Sequence, residues 1–339
     1  MKQYLEAVRE ILNKGTRKEN RTGVDTISTF NINYEIDLRE GFPILTTKKI
    51  DWKNIVVEVL WFLSGELNIN LLKKHGCHFW DAWGDNDGRV PSAYGNFWRH
   101  FPVPRHGIYK PTGRSGIPIH ELTDNDQIAW AVAELKKDPM SRRVVISAWA
   151  PGNAQTSKLP PCHITWVLNV QNMEGNCDNC KGTGSVNPSS TGYVKCRDVQ
   201  CDDCKGSGRV LKPHLCLHLT QRSCDIALGV PYNIATYALL QHLISKWTGI
   251  PVGIFAHTLV DAHAYTCKPD GSMAEFDHIP GLRTQLEREP LTLPKLELKE
   301  VDNLDDIEKL LKFDTEELMQ HFILRGYTPW PVIKFKVAV

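Results

Sequence analysis

A chain of 339 residues is long enough for one large catalytic domain with an insert, or for two small domains. Hydrophobic residues make up 42% and charged ones 23%, the balance of a soluble globular chain able to bury a sizeable core. Forty basic side chains against 39 acidic ones leave a formal charge of +1, which excludes a strong global pull toward nucleic acid or membrane but not a local basic pocket for a phosphate.

The opening Met1-Lys2-Gln3-Tyr4-Leu5-Glu6 enters a helical pattern at once, with Leu5, Val8, Ile11 and Leu12 on one stripe, and lacks the apolar core of a signal peptide. No apolar run reaches the ~18 residues of a spanning helix. The expectation is a cytoplasmic protein with reduced thiols, without a membrane partner. A polar loop follows at Lys18-Glu19-Asn20-Arg21-Thr22-Gly23, and residues 26–38 alternate as a strand does. The spacing predicts a helix over 52–64, with Ile55, Val59, Phe62 and Leu63 on one face and Gly65 as its stop; Glu58 falls on that apolar face. Residues 102–126, rich in Pro, Gly and polar types, read as a surface excursion, and 127–137 as a helix ended by Asp138-Pro139. Val144 to Trp149 reads as a buried strand. His163 to Val170 is a second strand, with Ile164, Trp166, Leu168 and Val170 facing one way, and Leu215, Leu217 and Leu219 alternate in a third. Residues 231–247 are apolar nearly all round and predict a buried central helix; 252–266 suggest another strand, and the last 40 residues return to helix, turn and strand. Strands mixed with a few long helices, without a regular βαβ repeat, predict an α+β fold with a large mixed sheet.

One stretch stands apart. Residues 174–209 carry Cys177, Cys180, Cys196, Cys201 and Cys204 among Gly, Asn, Asp and Ser, between two strand-like flanks. They read as a module inserted into a hairpin turn, with 1–173 and 210–339 forming the main domain. Cys177-x-x-Cys180 and Cys201-x-x-Cys204, each followed by Lys-Gly-x-Gly, have the spacing of a tetrahedral four-cysteine zinc site. Four thiolates leave no open position, so such a zinc would be structural. Cys196 is a possible replacement member. The basic Lys181, Lys195, Arg197, Lys205 and Arg209 would allow nucleic-acid binding, but Asp178, Asp198, Asp202 and Asp203 cancel their charge and oppose it. The repeat resembles the zinc-binding repeats of DnaJ-type chaperones over this insert alone, which implies no chaperone activity.

Several residue groups outside the insert have the chemistry of a site. Cys162, in Leu159-Pro160-Pro161-Cys162-His163, lies at the mouth of a strand behind a stiff approach: a nucleophile if cations lower its pKa, or else a buried structural thiol. Gln221-Arg222-Ser223-Cys224-Asp225 directly follows a strand and suits an anion-binding loop; with Arg142, Arg143 and Arg21 it offers four arginines to one phosphate, or four solvated surface charges. Glu58 is either a desolvated general acid/base or the partner of a buried arginine. Asn233 suits a helix N-cap as well as a binding role. His263 and Tyr265 point to one face of a strand, where they would bind a sugar hydroxyl or sit as satisfied core polar residues.

Taken together these residues resemble the thymidylate synthases from end to end, apart from the insert and the excursion near 105–125. The resemblance runs through Arg21-Thr22-Gly23, Glu58 with Leu60-Trp61-Phe62-Leu63-Ser64-Gly65, Trp80-Asp81-Ala82-Trp83, Tyr94-Gly95, Ser141-Arg142-Arg143 and Pro161-Cys162-His163. It continues through Gln221 to Asp225, Pro231-Tyr232-Asn233-Ile234-Ala235, Asp261 to Tyr265 and the terminal Ala338-Val339. It implies a three-layer α+β fold and a homodimer with shared sites.

The resemblance also implies roles. Cys162 adds to C6 of dUMP, making C5 a nucleophile. Arg21, Arg222 and Ser223 hold the phosphate, joined by Arg142 and Arg143 from the partner subunit. Asn233 reads the uracil edge, where an Asp would suit cytosine, and His263 and Tyr265 hold the 3′-hydroxyl. Glu58 manages protons through water, Tyr94 assists at C5, and His163 and Gln221 line the pocket. Trp80, Leu159, Asp225, Gly229, Tyr232 and Val339 enclose 5,10-methylenetetrahydrofolate. The pattern is broken where most members have Gly-Pro-x-Tyr-Gly and this chain has Pro91-Ser92-Ala93-Tyr94-Gly95, and where Val260 replaces a common Gly. These departures leave water capture, giving a hydroxymethyl product, as the alternative to hydride transfer. Trp80 and the Ala338-Val339 tail favour a closed, dry site and hence methyl.

Overall fold

The computed structural model describes residues 1–20, 22–102, 124–151, 157–186, 199–268, 270, 272 and 277–337. Helix α1 (Lys2–Lys14) buries Tyr4, Leu5, Val8 and Ile11. Strands β1 (Thr16–Lys18) and β2 (Thr26–Asp37) follow as an antiparallel pair. Helix α2 (Trp52–Ser64) starts where the Asp51 carboxylate accepts from the Asn54 N–H and stops at Gly65, whose φ of +75° few other residues adopt. Helices α3 (Asn70–Lys74) and α4 (Tyr94–Arg99) come next. A Cβ on Gly95 would overlap the Phe62 carbonyl oxygen, so glycine lets α4 lie directly on α2 and sets the position of Tyr94.

Strands β3 (Phe101–Pro102) and β4 (Asp124–Asn125) pair at the two ends of the expected excursion, most of which falls outside the described residues. Helix α5 (Gln127–Lys137) is capped by Asp126 and ends at Asp138. The buried strand expected over 144–149 is the shorter β5 (Val145–Ser147) at one edge of the sheet: Val144, Ile146 and Ala148 are buried, and Val145 on the other face is 46% exposed.

Strands β6 (His163–Asn176) and β9 (Arg209–Gln221) form a long antiparallel hairpin, paired from His163↔Gln221 to Asn176↔Arg209. Between them β7 (Ser185–Val186) pairs with β8 (Val199–Gln200). The register slips between His163 and Thr165, which takes Ile164 off the buried face and puts His163 on it with Trp166, Leu168 and Val170. Strand β10 (Cys224–Asp225) and strand β11 (Val252–Tyr265) complete the main sheet, ordered β1-β2-β11-β9-β6-β5, with β10 beside β11. The β11–β9 and β10–β11 pairs are parallel and the rest antiparallel, so the sheet is mixed.

The central helix, Gly229–Thr248, is buried on most of its surface and ends at Gly249 in the left-handed region. The amide NH2 of its buried Gln241 donates to the carbonyls of Leu215 and Ile254. One apolar core joins this helix, α1, α2, α4, α5 and the sheet. Among the described residues no helix is long and apolar enough to cross a membrane.

Candidate active site

Two strand ends meet where β6 begins and β9 stops. The N–H of Cys162 donates to the Tyr94 hydroxyl at 3.0 Å, and the N–H of Arg222 donates to the Cys162 carbonyl at 2.8 Å. The Arg222 guanidinium donates to the carbonyls of Pro161 (2.9 Å) and Pro160 (2.7 Å) and lies 5.6 Å from the Trp149 ring. Cys162 is partly exposed, unlike the fully buried Cys224. The His163 ring stacks on Tyr94 with centroids 4.5 Å apart, and burial pushes its pKa down to about 3, so it is a neutral imidazole near pH 7. Burial raises the Tyr94 phenol well above its ordinary pKa, so it keeps its proton.

Glu58 is buried, and no arginine balances it among the described hydrogen bonds and ion pairs. Its carboxyl accepts from Trp80 Nε1 at 2.8 Å. Burial raises its pKa to about 7, opposed by that hydrogen bond. Among the described residues Glu58 is thus a desolvated carboxyl bonded to Trp80, with no arginine beside it.

Asn233 is not an N-cap. The cap position belongs to Leu228, and Asn233 lies inside the first turns of the central helix, where its Oδ1 accepts from Gln221 Nε2 at 3.0 Å. On the other side, β10 runs beside the end of β11, with Asp225 opposite His263. Asp225 accepts from the N–H groups of Ala227 and Leu228. His263 Nδ1 donates to the Asp261 carbonyl at 3.0 Å, and the His263 and Tyr265 rings meet edge to face. Gly229 opens the central helix, and Tyr232 packs against Phe79 at 4.9 Å. Leu159 is partly buried against the core.

Arg142 and Arg143 do not join this group. They are exposed and line an open cavity of about 660 Å³ with Glu134, Asp138, Met140 and Ser141. Ser223 follows Arg222 at the end of β9, partly exposed. Arg21 and Val339 lie outside the described residues. A buried cation was not singled out from sequence: Lys48 sits 3% exposed, donates to the Ala227 carbonyl and lies 4.6 Å over Phe335, and burial pushes its pKa down to about 8. Thr47-Lys48-Lys49 reads locally as solvated charge; only the fold reveals the burial.

The second cluster is at the far end of the β6–β9 hairpin. The sulfurs of Cys177, Cys180, Cys201 and Cys204 all lie within 4.8 Å of one another, and all four residues are buried. Two of the separations are 3.7 and 3.6 Å. A tetrahedron of thiolates around zinc at ~2.3 Å has edges of about 3.8 Å, so the donor set fits that metal. The two knuckles lock reciprocally: Cys177 N–H donates to the Gly208 carbonyl and Cys201 N–H to the Gly184 carbonyl. Gly184 and Gly208 in turn donate to the sulfurs of Cys180 and Cys204. Cys196 is outside the described residues.

The sequence model of the family described as "Thymidylate synthase" matches residues 2–339. The chain belongs to the thymidylate synthase family. A thymidylate synthase from Haloferax volcanii is 35% identical over 378 aligned positions, which cover 98% of this chain and 95% of that protein. The matched range includes the site residues expected from the resemblance and the four clustered cysteines, and it agrees with the mixed-sheet α+β architecture.

Proposed function

We propose that this thymidylate synthase family member methylates dUMP to dTMP, using 5,10-methylenetetrahydrofolate as carbon and hydride donor and releasing dihydrofolate. One observation carries the reading: the family match covers nearly the whole chain, and within it Cys162, Tyr94 and Arg222 are tied together by main-chain hydrogen bonds. In this reading the Cys162 sulfur bonds to C6 of the uracil. C5 then attacks the methylene carbon as one of its bonds to a folate nitrogen opens, loss of the C5 proton expels tetrahydrofolate by breaking the other, hydride from that tetrahydrofolate gives the methyl group and dihydrofolate, and the sulfur leaves C6 as product forms. Arg222, Ser223 and Arg21 bind the phosphate; the positive charge of Arg222 beside the Cys162 turn suits that role.

Glu58, with a pKa near neutrality, suits proton transfer through water, and the Tyr94 hydroxyl at the N-terminus of β6, which keeps its own proton, assists proton removal at C5 by orienting the water that accepts it. Asn233 reads O4 and N3–H, His163 and Gln221 hold it in place, and His263 and Tyr265 take the 3′-hydroxyl. Trp80, Leu159, Asp225, Gly229, Tyr232 and Val339 enclose the folate. The exposure of Arg142 and Arg143, away from the Cys162 group of their own chain, supports a homodimer in which they serve the partner's phosphate. The four-cysteine cluster holds a structural zinc, within an insert over 174–209. The enzyme works in the cytoplasm.

The test is product mass after incubation with dUMP and methylenetetrahydrofolate, with dihydrofolate absorbance followed in the same tube. A methylated nucleotide with dihydrofolate formed supports the reading. A hydroxymethylated nucleotide with tetrahydrofolate released overturns it.

A further inference from the structure

A line of polar side chains runs inward from Asn233. Gln221 Nε2 donates to Asn233 Oδ1 at 3.0 Å and to the Ser223 carbonyl at 3.1 Å. A main-chain carbonyl only accepts, so the Ser223 contact fixes which end of the Gln221 amide carries the hydrogens. Its Oε1 then faces His257 Nε2 at 3.1 Å, and Nε2 must hold the imidazole proton. His257 is 1% exposed, and burial drives its pKa well below the ordinary value, so the ring is neutral and has one N–H only. Nδ1 is therefore an acceptor, and the Tyr34 hydroxyl, 2.8 Å away, is its donor. Tyr34 and His257 are direct cross-strand neighbours on β2 and β11, which holds the pair in the frame of the main sheet. Each bond from Tyr34 through His257 and Gln221 thus runs one way, and the last requires an oxygen of Asn233, not its NH2.

We infer that Tyr34 and His257 are remote positioning residues that fix the orientation of the Asn233 amide and thereby the preference for uracil over cytosine. The inference rests on the reading of Asn233 as the group that contacts the base. Uracil offers an acceptor at O4 and a donor at N3; cytosine offers the reverse. An Asn amide matches one base as it stands and the other after a half-turn. Here the half-turn would set N–H against N–H at Gln221. Gln221 cannot turn in compensation, because its amide would then meet the His257 N–H with its own N–H and the Ser223 carbonyl with its oxygen. His257 also supplies the donor without which Gln221 Oε1 would be a buried, unpartnered acceptor.

The experiment measures kcat/KM for dUMP and for dCMP with the full-length enzyme, or the two nucleotide affinities by calorimetry where dCMP turnover is undetectable. His257→Leu is expected to lower the dUMP-over-dCMP ratio about tenfold, the effect of one buried hydrogen bond. His257→Gln, whose amide can accept from Tyr34 and donate to Gln221, is expected to restore most of it, and Tyr34→Phe to lower it a few-fold. A merely structural role would depress both substrates in parallel, and a ratio unchanged in His257→Leu overturns the inference. If that variant does not fold, an unchanged ratio in Tyr34→Phe does so instead. Asn233→Asp separates the two levels. If it shifts the ratio toward dCMP and His257→Leu does not, only the remote role fails; if it leaves the ratio unchanged, the reading of Asn233 fails with it.

Discussion

The two ends of the β6–β9 hairpin place the same functional group in opposite surroundings. At one end a single partly exposed thiol, Cys162, is framed by Tyr94 and Arg222. At the other, four buried thiols face one another inside two glycine-rich knuckles. The strands between them are 14 and 13 residues long, which at ~3.3 Å per residue separates the ends by about 40 Å. A cysteine's chemistry is set by its surroundings: one thiol with an open approach can attack, and four with none can only hold a metal. At such a distance a metal held by the four thiols would support the hairpin and could not touch a bond reacting at Cys162.

The sharpest way to break the comparison is to remove the reactive thiol. Cys162→Ser should lower turnover by at least about 10⁴-fold while leaving dUMP affinity, measured by calorimetry, within a few-fold. Glu58→Gln comes next, with an expected loss of about 10²- to 10⁴-fold in kcat. It should also erase an inflection near pH 7 from the pH–rate profile, since burial raises this carboxyl to about 7. The stability effect has a definite sign. Between its ordinary 4.5 and about 7 the folded chain keeps a proton that the unfolded chain has lost, so this group's contribution to stability is present below the window and lost as pH rises through it. Thermal unfolding of Glu58→Gln against pH should lack that slope.

At the far end, Cys177→Ser with Cys201→Ser should abolish metal content by mass spectrometry and expose the region to protease. The kcat of the folded fraction should stay within about threefold. A larger loss would mean that the two ends are coupled. The smallest effect concerns Trp80→Phe: removing the indole donor removes a bond that favours the carboxylate, so the inflection should move upward by up to about one pH unit.

Local signals survived best the passage from sequence to structure. Helix α2 has the limits that its apolar stripe and Gly65 imply, because cap and stop act within one turn. The four cysteines meet as their C-x-x-C spacing implies, since each knuckle is built from adjacent residues. What failed depended on distant neighbours. Ile164 left the buried face because of a register slip that alternation does not announce. Val145 faces away from the core while Val144, Ile146 and Ala148 face it, and which face is covered depends on the elements packed there. Of the two readings of Asn233, the cap gives way, since its side chain bonds to Gln221 twelve residues earlier. Tyr34 and His257 carried no signal at all; 223 residues separate them, and only the pairing of β2 with β11 makes them partners.

The framing of Cys162 has a consequence for motion. Its N–H is held by the Tyr94 hydroxyl and its carbonyl by the Arg222 N–H, so the main chain is pinned on both sides of the Cα atom. Adjustment at this residue is thereby confined to its side-chain torsions, whose wells are staggered. A nucleotide attached to that sulfur would adjust by turning about the Cα–Cβ, Cβ–Sγ and Sγ–carbon bonds while the strand beneath it stays still.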